Sequence, residues 1–154
     1  MLDREIEALR RLGIEERLGE ALSADRIAAL GRAIAGVTTI DALAAALERW
    51  ADAHIGDPAW TRLEVEFGVH ASRNPALAKQ LARRHQEVRG RVAALIAAWA
   101  SAHRVALPLP AEDIGVALLS LGVGLGVQRA IDPTLPVRTL ATVLRLLAPP
   151  ARRR

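Results

Sequence analysis

The sequence predicts an all-α domain of six to seven helices, arranged as a mixed orthogonal and up-down bundle. Three observations predict it. Apolar residues recur at helical spacing almost throughout the 154 residues, and no stretch shows the sustained alternation of a strand. Alanine, leucine, arginine and glutamate, all strong helix formers, dominate a chain with no Tyr, one Phe and three Trp. Asp-Pro and Asn-Pro pairs and single glycines divide the periodic stretches where helices start and stop.

The first helix is expected over roughly Leu2 to Leu22, with Ile6, Leu9, Leu12, Leu18 and Leu22 on one side and a break near Gly13. Ser23 caps the second, Ala24 to Ala35, whose Ile27, Leu30 and Ile34 point inward and whose stop is Gly36. Thr39 caps the third, Ile40 to Ile55, with Leu43, Leu47, Trp50 and Ala51 as its stripe and Gly56 at its end. Asp57-Pro58 starts the fourth, which runs to about Ser72, and Asn74-Pro75 starts a long fifth that reaches about His103. After the turn LPLP, Leu107 to Pro110, the sixth helix covers Ala111 to about Ile131; Asp132-Pro133 ends it. Pro136 leads into a short last helix, Val137 to Leu147.

One domain, residues 1–147, is the natural division of this length, followed by a basic tail at 148–154. The net charge of +4 suggests a nucleic-acid binder until the charges are located. Arg152, Arg153 and Arg154 supply three of the four, so residues 1–151 carry +4 − 3 = +1, and their basic residues are interspersed with acids. That balance lacks the basic face of a DNA-binding surface. With no cysteine there is neither a disulfide framework nor a thiolate site. His54, His70, His85 and His103 stand singly without the i, i+4 spacing of a zinc helix, so no metal and no cofactor is expected. Ser23, Ser72, Ser101 and Ser120 sit at caps or helix positions, and no nucleophile, base and orienter assemble from spacing, so the chain is not expected to be an enzyme. The N-terminus has no hydrophobic leader core, and cytoplasmic location is expected.

The sixth helix is apolar on every side. Ile114, Leu118, Leu121 and Leu125 form one face, and Gly115, Leu119, Gly122 and Gly126 form an adjacent, mostly small one. The uncharged run from Ile114 to Gln128 is shorter than a bilayer span of about 18 to 20 residues, so no membrane partner is expected. GVGLG follows no strand and precedes no Lys-Ser/Thr, so it does not read as a phosphate loop. A helix apolar all round is buried all round, which in a domain of this size implies its own core on one side and a second subunit on another. Glycines at i and i+4 let helix backbones approach closely, and the Gly115, Gly122 and Gly126 face is expected at that seam.

Two segments carry a family resemblance. DPAWTRLEVEFGVHASRNPALAKQLARRH, Asp57 to His85, resembles the ligand-domain segment of TetR-family transcriptional regulators through Trp60, Leu63, Glu66-Phe67 and Arg73-Asn74-Pro75. The stretch ending GLGVQRAIDP resembles the family's late dimerisation helix through Gly124-Leu125, Gln128 and Asp132-Pro133. The resemblance runs from about Ile40 to Leu147 and implies a TetR C-terminal-domain-like bundle that homodimerises through its last two helices. The residues it would place at the interface are Gly115, Leu119, Gly122, Gly126, Arg129, Leu140 and Leu144. The family's helix-turn-helix unit has no counterpart before Leu2, and MLDREIEALRR resembles the end of the linking helix, so DNA is expected as a partner only through a unit outside this chain.

The resemblance also implies a pocket among the middle helices for a small, mostly apolar effector. Trp60, Glu64, Phe67 and His70 of the fourth helix, with Trp99 and His103 of the fifth, are the expected lining. A pocket-facing Glu64 would favour a cationic or hydrogen-bond-donating ligand; the alternative is an ion pair with a neighbouring helix. The competing function is a helical scaffold that docks a protein partner on its Gly-rich helix.

Overall fold

The computed structural model describes residue 13 and residues 24–147, and those residues form helices and turns with no strand. The expected first helix, apart from Gly13, and the tail lie outside the described residues. Six helices follow in order: α1, described over residues 24–34, α2 (Ile40–His54), α3 (Pro58–Ala71), α4 (Pro75–His103), α5 (Ala111–Ile131) and α6 (Arg138–Leu147).

Local chemistry sets the boundaries. Thr39 Oγ1 accepts from Ala42 N–H at 3.2 Å, Asp57 Oδ1 from Trp60 N–H at 2.6 Å, and Asn74 Oδ1 from Ala76 and Leu77 N–H at 3.0 and 3.3 Å. Each cap satisfies donors that the first helical turn leaves open. Gly36 at φ 75° and Gly56 at φ 92° make the left-handed turns after α1 and α2. The end of α4 uses no glycine: Arg104 itself adopts φ 55°, with its N–H bonded back to Ala100 and Ser101 carbonyls.

Helix α2 packs along α6, where Leu43, Ala44, Leu47 and Ala51 meet Leu140, Ala141 and Leu144 in the main core. The alanines are fully enclosed, which lets the two helices come close. Leu30 of α1, Trp99 and Ala100 of α4 and Leu125 of α5 complete that core. Helix α5 lies against α4 and also touches α3. The α4–α5 contact depends on Gly115, where a Cβ would sit 2.9 Å from the Arg89 carbonyl oxygen and 3.5 Å from Ala93 Cβ.

Two indoles fix α1. Trp50 Nε1–H donates to Arg26 O at 2.9 Å and Trp99 Nε1–H donates to Val37 O at 2.7 Å, so α2 holds α1 at Arg26 and α4 holds the turn beyond its end. Arg129 ties α5 to α2 by donating to Asp52 Oδ1 at 3.2 Å and to Leu135 O at 3.2 Å. Its side chain is only 14% exposed, so this link is more shielded than the Arg145–Asp41 pair between α6 and α2.

Helix α5, at 21 residues, is long and apolar enough to cross a membrane by length and composition alone, a test that core helices also pass. Only 22% of its most apolar window is buried within the chain.

Gly115→Ala should destabilise the domain by about 1–3 kcal/mol, because the added methyl meets a backbone oxygen that has nowhere to go. Gly90→Ala, at an exposed position of α4 with nothing within 4 Å of the new carbon, should stabilise it by about 0.5–1 kcal/mol through helix propensity. Urea unfolding of the two variants checks the opposite signs.

Candidate functional site

A cavity of about 150 Å³ lies among all six described helices, roughly ten times the space one water needs. Its apolar wall is built from Ile27 and Leu30 of α1, Leu47 of α2, Val88 and Val92 of α4, Leu118, Leu119 and Val123 of α5 and Leu140 of α6. Gly122 and Gly126 of α5 also line it, and a Cβ at either would meet Ile55 only at 3.8 or 3.9 Å. These two glycines leave space open where larger residues would fill it. Thr61, the one buried polar residue among those described, directs its hydroxyl to Gly126 O at 3.5 Å.

The polar lining is drawn from four helices. Trp50 and His54 contribute from α2, Trp60 and Glu64 from α3, Arg84 and His85 from α4, and Arg26 from α1. The Arg26 and Arg84 guanidinium carbons lie 4.7 and 5.2 Å from the Trp60 ring centroid. Both arginines also act on the Glu64 carboxyl and favour its charged form, but burial outweighs them and raises its pKa from 4.5. Burial also lowers the Arg26 value against the pull of Asp57 and Glu64. His85 is lowered from 6.5 by burial and then by Arg84 and Arg89, so it is held toward the neutral form.

His54 stacks on Trp50 with ring centroids 5.3 Å apart, and its Nδ1 lies 2.8 Å from Trp50 O. A carbonyl can only accept, so Nδ1 carries the hydrogen; in the neutral ring Nε2 is then an acceptor. The same unit recurs at the end of α4, where His103 stacks on Trp99 at 5.0 Å and its Nδ1 lies 2.8 Å from Trp99 O. The sequence shows the duplication as WADAH at 50–54 and WASAH at 99–103. Only the first copy lies on the cavity.

Of the six residues expected to line a pocket, the structure brings Trp60 and Glu64 to the cavity. Phe67 is 5% exposed and shares their face of α3, but it lies two turns further on, about 10 Å from Trp60 along the axis, outside the cavity wall. His70 is exposed, about 80° round the helix from Trp60. Trp99 belongs to the core, held by Val37, and His103 covers it. Val92 is the last α4 residue at the cavity, and Trp99 stands seven residues, about 10 Å, beyond it. Arg26, Trp50, His54, Arg84 and His85 were not expected there. The WxxxH pair was a legible sign for two of them.

The residues expected at a dimer seam have neighbours within this chain, and Leu119, Gly122 and Arg129 among them stay half-buried. Gly115 faces α4, and Leu119, Gly122, Gly126 and Leu140 line the cavity. Leu144 is 6% exposed in the core and Arg129 binds Asp52 and Leu135. The small face of α5 therefore meets its own neighbours. The face left open carries Val116, Ser120 and Ile131, with Val116 48% and Ile131 83% exposed. At Gly124, for which the sequence offers no role, an added Cβ would meet nothing within 4 Å, so this residue lies beside open space.

Among the described residues no group of three or more His, Cys, Asp or Glu could hold a metal ion.

The titration of Glu64 gives a signed prediction. An acid whose value is raised on folding binds its proton more tightly folded than unfolded, so its contribution to stability declines as pH rises from 4.5 through the raised value. His85, lowered on folding, has the opposite slope: the stability it contributes is lost as pH falls from 6.5 through its folded value. Glu64→Gln removes only the first slope. The thermal midpoint of the parent minus that of the variant should fall as pH is raised above 4.5; a flat or rising difference contradicts the assignment.

No curated protein and no solved structure matches the chain. The family described as BetI-type transcriptional repressor, C-terminal, matches residues 39–148, from the cap of α2 through α6. That span holds five of the six described helices and all of the cavity wall except its α1 residues, and the chain belongs to this family of TetR-type regulator C-terminal domains.

Proposed function

We propose that this domain binds a small, mostly apolar effector in its central cavity and forms a homodimer as part of a cytoplasmic transcriptional regulator, with DNA contacted by a unit outside the described residues. The observation that carries the reading is the cavity itself. It is bounded by all six helices, largely apolar, and provided with a few charged and hydrogen-bonding groups at one part of its wall, which is how small-molecule sites are commonly built. Family membership supports the same reading.

Signalling would leave the site through α1. Trp50 lines the cavity and its indole N–H holds Arg26 O, so a ligand that displaces either residue would shift α1 at Arg26. A ligand biases such an equilibrium only by its different affinity for the two positions.

Dimerisation would use the open face of α5 rather than the small one. Val116, Ser120, Gly124, Val127 and Ile131 recur at three- and four-residue spacing with no charge among them, and Gly124 leaves room for a second helix backbone. A second copy is the occupant this face suits, because a two-fold axis pairs the same uncharged surface with itself.

Two experiments test the proposal. A neutral fluorophore, N-phenyl-1-naphthylamine, should bind the parent domain with increased emission, and Gly122→Leu, which places a side chain in the cavity, should weaken that binding at least about tenfold while circular dichroism is retained. Unchanged binding would place the fluorophore elsewhere. Sedimentation should show a dimer at micromolar concentration that Val116→Glu with Ile131→Glu converts to folded monomer. A parent that sediments as a monomer would overturn the homodimer.

A further inference from the structure

Thr61 lies on the cavity wall and is 5% exposed, the one polar residue among those described that is so enclosed. Its hydroxyl reaches Gly126 O at 3.5 Å, outside the range of about 2.5–3.0 Å in which hydroxyl bonds to oxygen are strong. The group is enclosed but weakly engaged, and a closer partner would stabilise it. Valine would fill the same volume without a polar group to satisfy.

The space beside this hydroxyl is open. A Cβ at Gly126 would lie 3.9 Å from Thr61 Oγ1, 3.9 Å from Ile55 Cγ2 and 4.0 Å from Gly56 N, and one at Gly122 would meet Ile55 Cδ1 at 3.8 Å. None of these nearest atoms belongs to a charged group. The polar side chains at this end are set to accept. With the Thr61 hydrogen directed to Gly126 O, the Oγ1 lone pairs are left to receive a donor. His54, two residues before Gly56 on the same wall, has Nδ1–H committed to Trp50 O, so Nε2 of its neutral ring is an acceptor as well. A ligand group that donates is matched to both, whereas one that only accepts must draw the Thr61 hydrogen away from Gly126 O. A cation also donates, but burying its charge beside Ile55 and two glycines, with no carboxylate among the nearest atoms, is costly.

Resting on the reading of this cavity as the effector site, we infer that the effector is an uncharged molecule anchored by a hydroxyl group at Thr61. The hydroxyl donates to Thr61 Oγ1 in the space that Gly126 leaves, and the apolar body extends past Gly122 along Leu118 and Val92. Thr61 then determines specificity, since it separates a hydroxyl-bearing ligand from a hydrocarbon of the same shape.

Titration calorimetry of the full chain with phenol, toluene and benzylammonium tests this. A cavity of about 150 Å³ has room for a benzene ring, and phenol and toluene differ only by a hydroxyl in place of a methyl. Thr61→Val should weaken phenol binding by about threefold to tenfold, the contribution of one hydrogen bond, and leave toluene binding within about twofold. Thr61→Ser, which retains the hydroxyl, should keep the parent's ratio of phenol to toluene affinity. Benzylammonium should bind the parent at least about tenfold more weakly than phenol does. If Thr61→Val changes phenol and toluene affinity by the same factor, or benzylammonium binds as tightly as phenol, the hydroxyl anchor is overturned while the cavity stands as a ligand site. If neither phenol nor toluene binds, the ligand-site reading falls and the anchor with it.

Discussion

The cavity depends on where α1 lies, and α1 is held by two indole hydrogen bonds. Trp50 reaches Arg26 O and Trp99 reaches Val37 O, so one helix is gripped from two different elements. Each bond contributes about 1 kcal/mol net; losing the Trp99 donor would leave the Val37 carbonyl, outside any helix, without that partner at a cost of about 1–3 kcal/mol, whereas Arg26 O keeps its bond within α1. The consequence is geometric as much as energetic. Held there, α1 brings Ile27 and Leu30 to the apolar wall and Arg26 to Trp60. Shifting α1 would open the cavity and remove one of its two arginines together.

Helix α5 resolves a conflict between propensity and space. Each interior glycine costs about 1 kcal/mol relative to alanine, and α5 contains four. Three of them answer to neighbours inside the chain. Gly115 admits the Arg89 carbonyl, while Gly122 and Gly126 keep side chains out of the cavity near Ile55 and Thr61. The helix tolerates the loss because α4, α3 and α6 pack against it and stabilise it by tertiary contact. Gly124 alone is unexplained by anything within the chain, and it lies by open space.

The parts of this fold legible in the sequence were those encoded by neighbouring residues. Thr39, Asp57 and Asn74 set helix starts through side chains two or three residues from their partners, and Gly36 and Gly56 set stops through their own backbone freedom. The end of α4 was found from the turn that follows, since Arg104 in a left-handed conformation announces nothing. The orientation of α5 was illegible for a different reason. Residues on every side are apolar or small, so periodicity gives the helix no direction, and the small face expected at a partner also meets α4 and the cavity of its own chain. The site was half legible. Trp60 and Glu64 share a stripe one turn apart, but Arg26 and Arg84 come from other helices, and only the folded chain places them on the same ring. Trp50 and Trp99 occupy matching local patterns, and nothing in either pentapeptide tells which lies at the cavity.

Under the proposed function two outputs would meet at that cavity, because its walls are shared. Through Trp50 it borders the carbonyl that positions α1, and through Gly122 and Gly126 it borders the inner side of α5. Helix α5 is continuous from Ala111 to Ile131, so a ligand pressing on its inner glycines would displace the outer residues Val116, Ser120 and Ile131 as well. A ligand that reaches Trp50 while its apolar body lies against Gly122 would then act on both helices at once. A ligand that touches only one of those walls would move only one helix, so spanning the cavity is a condition for the full response, beyond a means of tighter binding.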